Sequence, residues 1–148
     1  MKFWALSAMA ALLFFPSLST ADETGAITAH NAYAYATSQV QKNGAVFMEI
    51  VNGGAQIDRV TSATSDVAAR VELHTHIMDG DIMMMREVER YELPAGETVT
   101  LEPMGHHIML MGLKQRLEDG QHFPLTLTLE TGAPITIDIE IVKPGHAP

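Results

Sequence analysis

The chain has 148 residues, of which 47% are hydrophobic, and a formal net charge of −9 at pH 7. This length allows one compact domain with a real core. The acidic balance argues against nucleic-acid binding and against attachment to a membrane surface through a basic stretch, because both need clustered positive charge. The chain has no cysteine, so disulfides and thiolates play no part in its stability or chemistry, but it has 10 methionines and 7 histidines.

The first 21 residues have the pattern of a cleavable signal peptide. Lys2 precedes an apolar run over residues 3–15, and Ser19-Thr20-Ala21 offers a cleavage site of small residues. The run is shorter than the ~20 residues that a membrane-spanning helix needs. We therefore expect export to the periplasm, removal of residues 1–21, a single domain over residues 22–148 and no stable membrane insertion afterwards.

From Ile27 onward the chain has the pattern of short strands separated by turns, with no long helix. Apolar and polar residues alternate with period two, which is typical of half-buried strands. This alternation predicts strands over residues 45–51, 67–78, 82–88, 98–101, 107–113, 125–129 and 135–141. Many short strands at such spacing indicate an all-β fold, an antiparallel sandwich or barrel.

Asp79-Gly80 lies between two of these strands and predicts a two-residue hairpin turn. In that register His74 lies opposite Met85, and His76 lies opposite Met83 on the same face. Directly opposed side chains have Cβ atoms ~4.5–5.5 Å apart, close enough to share one ion. A longer turn would shift the register by one residue, an alternative that the sequence leaves open.

The strand over residues 107–113 carries another histidine–methionine pair. Residues two apart face the same side of a strand. His107, Met109 and Met111 therefore face away from Ile108 and Leu110, which we expect in the core. If this strand lies over the hairpin, two imidazoles and two thioethers come together.

Such a set of donors favours Cu(I), because thioether sulfur is soft and uncharged, whereas hard cations take oxygen ligands. A blue-copper site would need a cysteine thiolate, which this chain lacks. We therefore expect a Cu(I) site, with His74, Met85, His107 and Met109 as its ligands. Possible accessory ligands are His76, Met83, His106 and Met111.

Ordinary structural roles are expected for several of the other histidines and methionines. A methionine in a β protein more often fills the core than binds a metal, and we expect that role for Met48 and Met84. A lone histidine is usually exposed or hydrogen-bonded, as we expect for His30, His122 and His146. The sequence does not decide the roles of Met78 and Met104.

The spacing of the four expected ligands resembles the H-x10-M-x21-H-x-M signature of the PCuAC-type periplasmic copper chaperones. The flanking sequences are similar as well, and the resemblance covers about residues 43–142. It implies a cupredoxin-like β-sandwich that binds one Cu(I) through two histidines and two methionines. It also implies copper delivery toward the CuA centre of cytochrome c oxidase, with the CuA-carrying oxidase subunit or Sco-type thiol proteins as partners.

The chain departs from this family's pattern at two places. Tyr33 and Tyr35 stand in the first strand, where the family often has a tryptophan and an arginine. Some members carry a long tail rich in histidine and methionine, where this chain has only residues 143–148 with His146. We therefore expect no high-capacity second copper site at the C-terminus.

Three other functions remain open from the sequence. The first is copper sequestration or tolerance without an oxidase partner, and the second is an adhesive or structural sandwich with incidental histidines and methionines. The third is an enzyme, which we do not expect. The chain has no Gly-x-Ser-x-Gly nucleophile motif, and two soft thioethers favour holding Cu(I) over cycling its oxidation state. We expect a monomer.

Overall fold

A computed structural model describes residues 26–148, and the predicted signal peptide lies outside them. The described chain forms ten strands: β1 Ile27–Tyr35, β2 Asn43–Asn52, β3 Asp58–Thr64, β4 Ala68–Asp79, β5 Ile82–Glu87, β6 Tyr91–Leu93, β7 Thr98–Leu101, β8 His107–Leu113, β9 His122–Leu129 and β10 Ile135–Val142. Among these described residues, no helix is long and apolar enough to cross a membrane.

The strands are hydrogen-bonded in the order β5-β4-β8-β2-β1-β10-β9-β3-β6, and β7 also pairs with β2. The pair β1 and β10 is parallel, and the other paired strands of the described chain are antiparallel. The expected all-β, cupredoxin-like fold is confirmed. The sheet is mixed rather than purely antiparallel, because the first strand runs alongside the last one.

All seven strands predicted with bounds are present, with their ends within three residues of the predicted ones. Of the other three strands, β1 was expected only as a first strand containing Tyr33 and Tyr35, without bounds, and β3 and β6 have no counterpart in the prediction. β3 contains a register shift between Val60 and Ser62, which interrupts the alternation that reveals a strand. β6 has only three residues and is too short to show a period.

The main core lies between the two halves of the sheet. It takes Leu73 of β4 and Ile108 of β8 from one half, and Leu125 of β9 and Ile139 of β10 from the other. A smaller cluster, the aromatic cluster, lies outside this core and consists of the rings of Tyr33 and Phe47 with Val142 of β10 beside them. The strands β4, β8 and β2 therefore have a core face and an outer face, and the histidines of interest lie on the outer one.

The buried carboxylate of Asp58 fixes the turn between β9 and β10. It accepts hydrogen bonds from the backbone N–H groups of Arg59 at 2.7 Å, Thr131 at 3.0 Å and Gly132 at 2.9 Å. Burial alone would raise the pKa of Asp58, but these backbone donors lower it below its ordinary value of 3.8. The carboxylate is therefore ionised when it holds the turn.

We expect Asp58→Ala to reduce the free energy of unfolding by about 1–3 kcal/mol, because it leaves buried N–H groups unpaired. The stability that Asp58 contributes is present above pH 3.8 and is lost as the pH falls through its lowered folded-state pKa. Urea denaturation at pH 7 and at pH 3 measures both effects. Asp138→Ala, at an exposed position, is the matched control and should change stability by no more than about 0.5 kcal/mol. Equal losses in the two variants would contradict this role.

Candidate metal centre

The hairpin between β4 and β5 has a different register from the predicted one. The loop residues are Gly80 and Asp81, so His76 lies opposite Met85 and His74 lies opposite Glu87. The predicted pairs of His74 with Met85 and His76 with Met83 are therefore wrong. Gly80 has a φ of 63° and takes the first loop position, where hairpin turns that begin with glycine need a positive φ. The shift is two residues, so every side chain keeps its predicted face.

The pairing of β4 with β8 completes the outer face. His74 lies directly opposite His107, and Met109 lies opposite Glu72, the next pair along on the same face. Met85 is on the other side of His74, across the hairpin and offset by two residues. His74 therefore has His107 beside it and a methionine diagonally on each side. The structure brings the four expected ligands to one face, from three adjacent strands.

His107 is buried, with 2% of its surface exposed. Its Nδ1 lies 3.0 Å from the carbonyl oxygen of Gly105. Because a carbonyl oxygen can only accept, Nδ1 carries the proton and Nε2 keeps a free lone pair. Nε2 is buried and has no hydrogen-bond partner. Orienting one ring nitrogen so that the other can bind is the usual arrangement around a metal-binding histidine.

His74 has the same arrangement with the two ring nitrogens exchanged. Its Nε2–H donates a hydrogen bond to a carboxylate oxygen of Glu72 at 2.9 Å, while the buried Nδ1 has no partner. Its ring centroid lies 5.8 Å from that of His107. An unpaired buried nitrogen costs free energy unless something binds it. Two such nitrogens on neighbouring rings fit a metal ion that both would bind.

The methionines supply the remaining soft donors. Met109 is half-buried, while Met85 is 47% exposed. Both line a cavity of about 460 Å³ together with His76, His107 and Met104. Met104 has a left-handed φ of 70° in the turn before β8, the turn that also presents the Gly105 carbonyl. An ion held by the buried imidazoles would therefore be reached from solvent on the methionine side.

The four possible accessory ligands occupy different surroundings. The ring centroid of His76 lies 5.1 Å from that of His107, and its Nδ1 lies 3.4 Å from the Gly105 oxygen. Met83 is on the same face, nearer the end of the hairpin. The sulfur of Met111 accepts a hydrogen bond from the guanidinium group of Arg70 at 3.5 Å. His106 packs its ring 4.8 Å from Tyr91, a residue of the main core, so the structure does not bring it to the outer face.

The histidines and methionines given structural roles mostly follow the prediction, with one exception. Met48 is buried in the main core. His30 contacts Thr28 and His122 contacts Asp138 by hydrogen bonds, and His146 is exposed. Met84 was expected in the core but is 40% exposed. The prediction for Met84 is wrong because β5 is an edge strand with both of its faces exposed.

Two residues that hold the site together were missed in the sequence. Glu72 orients His74, and its position two residues earlier on the same strand face was a usable signal. The Tyr91 hydroxyl donates toward the carbonyl oxygens of His74 at 2.7 Å and His107 at 2.5 Å, and it accepts from the N–H of His74 at 3.0 Å. Tyr91 comes from a separate three-residue strand, so its sequence position gave no indication of this contact.

The environment of His107 predicts how stability depends on pH. Burial lowers the pKa of His107 below its ordinary value of 6.5, and the nearby His76 and His74 lower it further, against the raising effect of the Gly105 carbonyl. The unfolded chain therefore binds a proton on this residue at a higher pH than the folded chain does. The free energy of unfolding should decrease as the pH falls below 6.5 toward the lowered folded-state pKa.

Urea denaturation of the metal-free protein between pH 7.5 and pH 5 measures this dependence. In His107→Gln the decrease over that range should be smaller, because the titrating group is gone. An identical pH dependence in the wild type and the variant would contradict the assignment.

The family of this chain follows from comparison with known proteins. Residues 27–141 match the family described as “Putative lipoprotein LpqE-like”. The chain belongs to the LpqE-like family. A relative from Leifsonia xyli subsp. xyli, named “Putative lipoprotein Lxx21020”, is 36% identical over 99 residues, which are 65% of this chain and 60% of the relative. The match therefore spans less than two thirds of that relative's length.

Solved structures share the fold. The “Copper-bound PCuAC domain from PmoF2” is 22% identical with a TM-score of 0.70, covering 82% of this chain and 96% of its own. The “Solution structure of CuI-DR1885 from Deinococcus Radiodurans” is 25% identical with a TM-score of 0.65, covering 88% and 89%. Its apo form is 26% identical with a TM-score of 0.61, covering 97% of both chains. The resemblance to the PCuAC-type family is confirmed.

Proposed function

We propose that this chain is a periplasmic Cu(I)-binding metallochaperone that delivers copper toward the CuA centre of cytochrome c oxidase. The observation that carries the proposal is the pair of buried, unpartnered nitrogens, His74 Nδ1 and His107 Nε2, on adjacent strands. Met85 and Met109 lie on the same face. The copper-bound and Cu(I)-bound structures that share the fold support this choice of metal. The lipoprotein names of the family and the relative support export.

Each expected ligand has a distinct role in binding one Cu(I). The imidazoles of His74 and His107 bind as neutral donors, already oriented by Glu72 and Gly105. Both are held on paired strands, so little ordering is needed when the ion enters. Met85 and Met109 add thioethers, which favour Cu(I) over harder ions and bring no charge. The chain acts as a carrier and not as an enzyme.

The difference in solvent exposure between the ligands indicates the side from which Cu(I) leaves the site. Met85 is 47% exposed, whereas His107 is 2% exposed. An incoming thiolate reaches the ion from the Met85 side, and ligands exchange one at a time until the buried imidazoles are released. Thiolates bind Cu(I) more strongly than thioethers do, so the ion moves toward a cysteine-containing acceptor. The CuA-carrying oxidase subunit and Sco-type proteins are the acceptors we propose.

A transfer experiment tests this function. The Cu(I)-loaded protein is mixed with a metal-free, soluble CuA domain or Sco-type domain, and the two are separated and assayed for copper. We expect copper on the acceptor when its thiols are free, and on this chain when they are alkylated. If copper stays on this chain despite an excess of reduced acceptor, the protein sequesters copper and the delivery role is wrong.

A further inference from the structure

The outer face carries more soft donors than one ion needs. Beyond the His76–Met85 pair, Met78 lies directly opposite Met83, which is the next pair on the same face toward the end of the hairpin. Met78 is 60% exposed and Met83 is 44% exposed. Directly opposed residues of an antiparallel pair have Cβ atoms ~4.5–5.5 Å apart, so both sulfurs can reach one ion.

Packing does not explain this pair of methionines. Neither side chain belongs to the main core or to the aromatic cluster. Both lie on the same face as His74 and His76, so the two thioethers continue the line of donors that starts at the buried imidazoles. Met84 is about as exposed as Met83 but lies on the opposite face of β5, away from this line of donors.

We propose that Met78, Met83 and His76 form a second, outer site for Cu(I), through which the ion enters and leaves the inner site. His76 precedes Met78 by two residues on one strand face and lies diagonally across from Met83, within reach of a long side chain. Its Nδ1 faces the Gly105 carbonyl at 3.4 Å, which leaves Nε2 as the metal-binding nitrogen.

The outer site binds more weakly than the inner one, because its methionines are exposed and it has a single imidazole. His76 lies between the two sites, with its ring centroid 5.1 Å from that of His107. The ion passes inward by exchange of neutral ligands and remains Cu(I), so no electron or proton is transferred. This inference takes the position of the inner site from the proposed function, but binding at Met78 and Met83 can be measured separately.

Silver(I) titration of the protein labelled with ¹³C at the methionine methyl groups tests the outer site, since Ag(I) is a diamagnetic soft ion that is not oxidised in air. We expect the first equivalent to shift the methyl signals of Met85 and Met109, and the second to shift those of Met78 and Met83. The double variant Met78→Leu/Met83→Leu should bind one equivalent instead of two. The control Met84→Leu, on the same strand with similar exposure, should still bind two.

Unchanged Met78 and Met83 signals in excess Ag(I) would overturn the outer site. An equal response of Met84 would overturn it as well, because binding would then follow exposure and not the arrangement of donors. Binding at the inner site is measured separately, from the methyl signals of Met85 and Met109. If Met78 and Met83 respond while Met85 and Met109 do not, the proposed function fails and the outer site stands as an independent soft-metal site.

Discussion

A His107→Gln variant will bind Cu(I) more than about 100-fold more weakly than the wild type, and Met109→Leu will also weaken binding strongly. Loss of a residue that only orients a ligand typically costs about 10–100-fold in metal affinity, so loss of a ligand should cost more. His107 should show the largest effect because its free Nε2 is buried and already oriented. Competition against a coloured Cu(I) chelator measures the affinity.

Matched controls separate ligand loss from a general effect of the substitution. His122→Gln replaces a histidine that contacts Asp138 on another part of the sheet, and its Cu(I) affinity should equal that of the wild type. Met84→Leu repeats the methionine change outside the outer face. Urea denaturation of every variant checks that it is folded. A folded His107→Gln protein with wild-type affinity would exclude this histidine from the site.

The second large effect is expected for Tyr91→Phe, which removes one hydroxyl group. That hydroxyl contacts the backbone of both His74 and His107, and burial raises its pKa so that it stays protonated and can donate. Without it, buried backbone groups on β4 and β8 lose a partner, and we expect a loss of about 1–3 kcal/mol in the free energy of unfolding. Because the two imidazoles are carried by these strands, Cu(I) affinity should fall by about 10-fold.

Urea denaturation and Cu(I) competition test the two parts of the Tyr91 prediction. Tyr35→Phe removes a hydroxyl from a half-buried ring on β1 and should change stability by no more than about 0.5 kcal/mol. Weaker copper binding at unchanged stability would mean that Tyr91 acts on the metal site alone. Unchanged stability and unchanged affinity together would contradict its role in joining β4 and β8.

Much of the fold was predictable because alternation is strongest where one face of a strand is buried. β10 shows this with isoleucines at every second position, as does β8 with Ile108 and Leu110. The prediction failed where the local pattern is interrupted or too short, at the bulged β3 and at the three-residue β6. It also misplaced Met84, since whether β5 is an edge strand depends on the order of strands in the sheet.

The candidate site was predictable in composition but not in register. Side-chain parity put His74 with Met85 on one face of the hairpin and His107 with Met109 on one face of β8, and this parity survived the two-residue shift of the hairpin. The two pairs meet because β8 is hydrogen-bonded beside β4 in the same sheet, whereas the sequence analysis considered β8 lying over the hairpin. The choice between Asp79-Gly80 and Gly80-Asp81 as loop residues depends on a turn geometry that either pair satisfies in sequence. The role of Tyr91 comes from contacts between separate segments, which no local pattern shows. The Gly105 carbonyl is only two residues before His107, but its contact with the ring depends on the geometry of the turn before β8.

X-ray absorption at the copper edge, recorded on the protein after loading with one equivalent of Cu(I) and removal of unbound metal, tests whether histidine and methionine bind the ion together. We expect a Cu(I) edge and a first shell of both nitrogen and sulfur, with the sulfur contribution reduced in Met109→Leu and the nitrogen contribution reduced in His107→Gln. A first shell of nitrogen and oxygen alone, or copper that does not stay with the protein, would contradict this expectation.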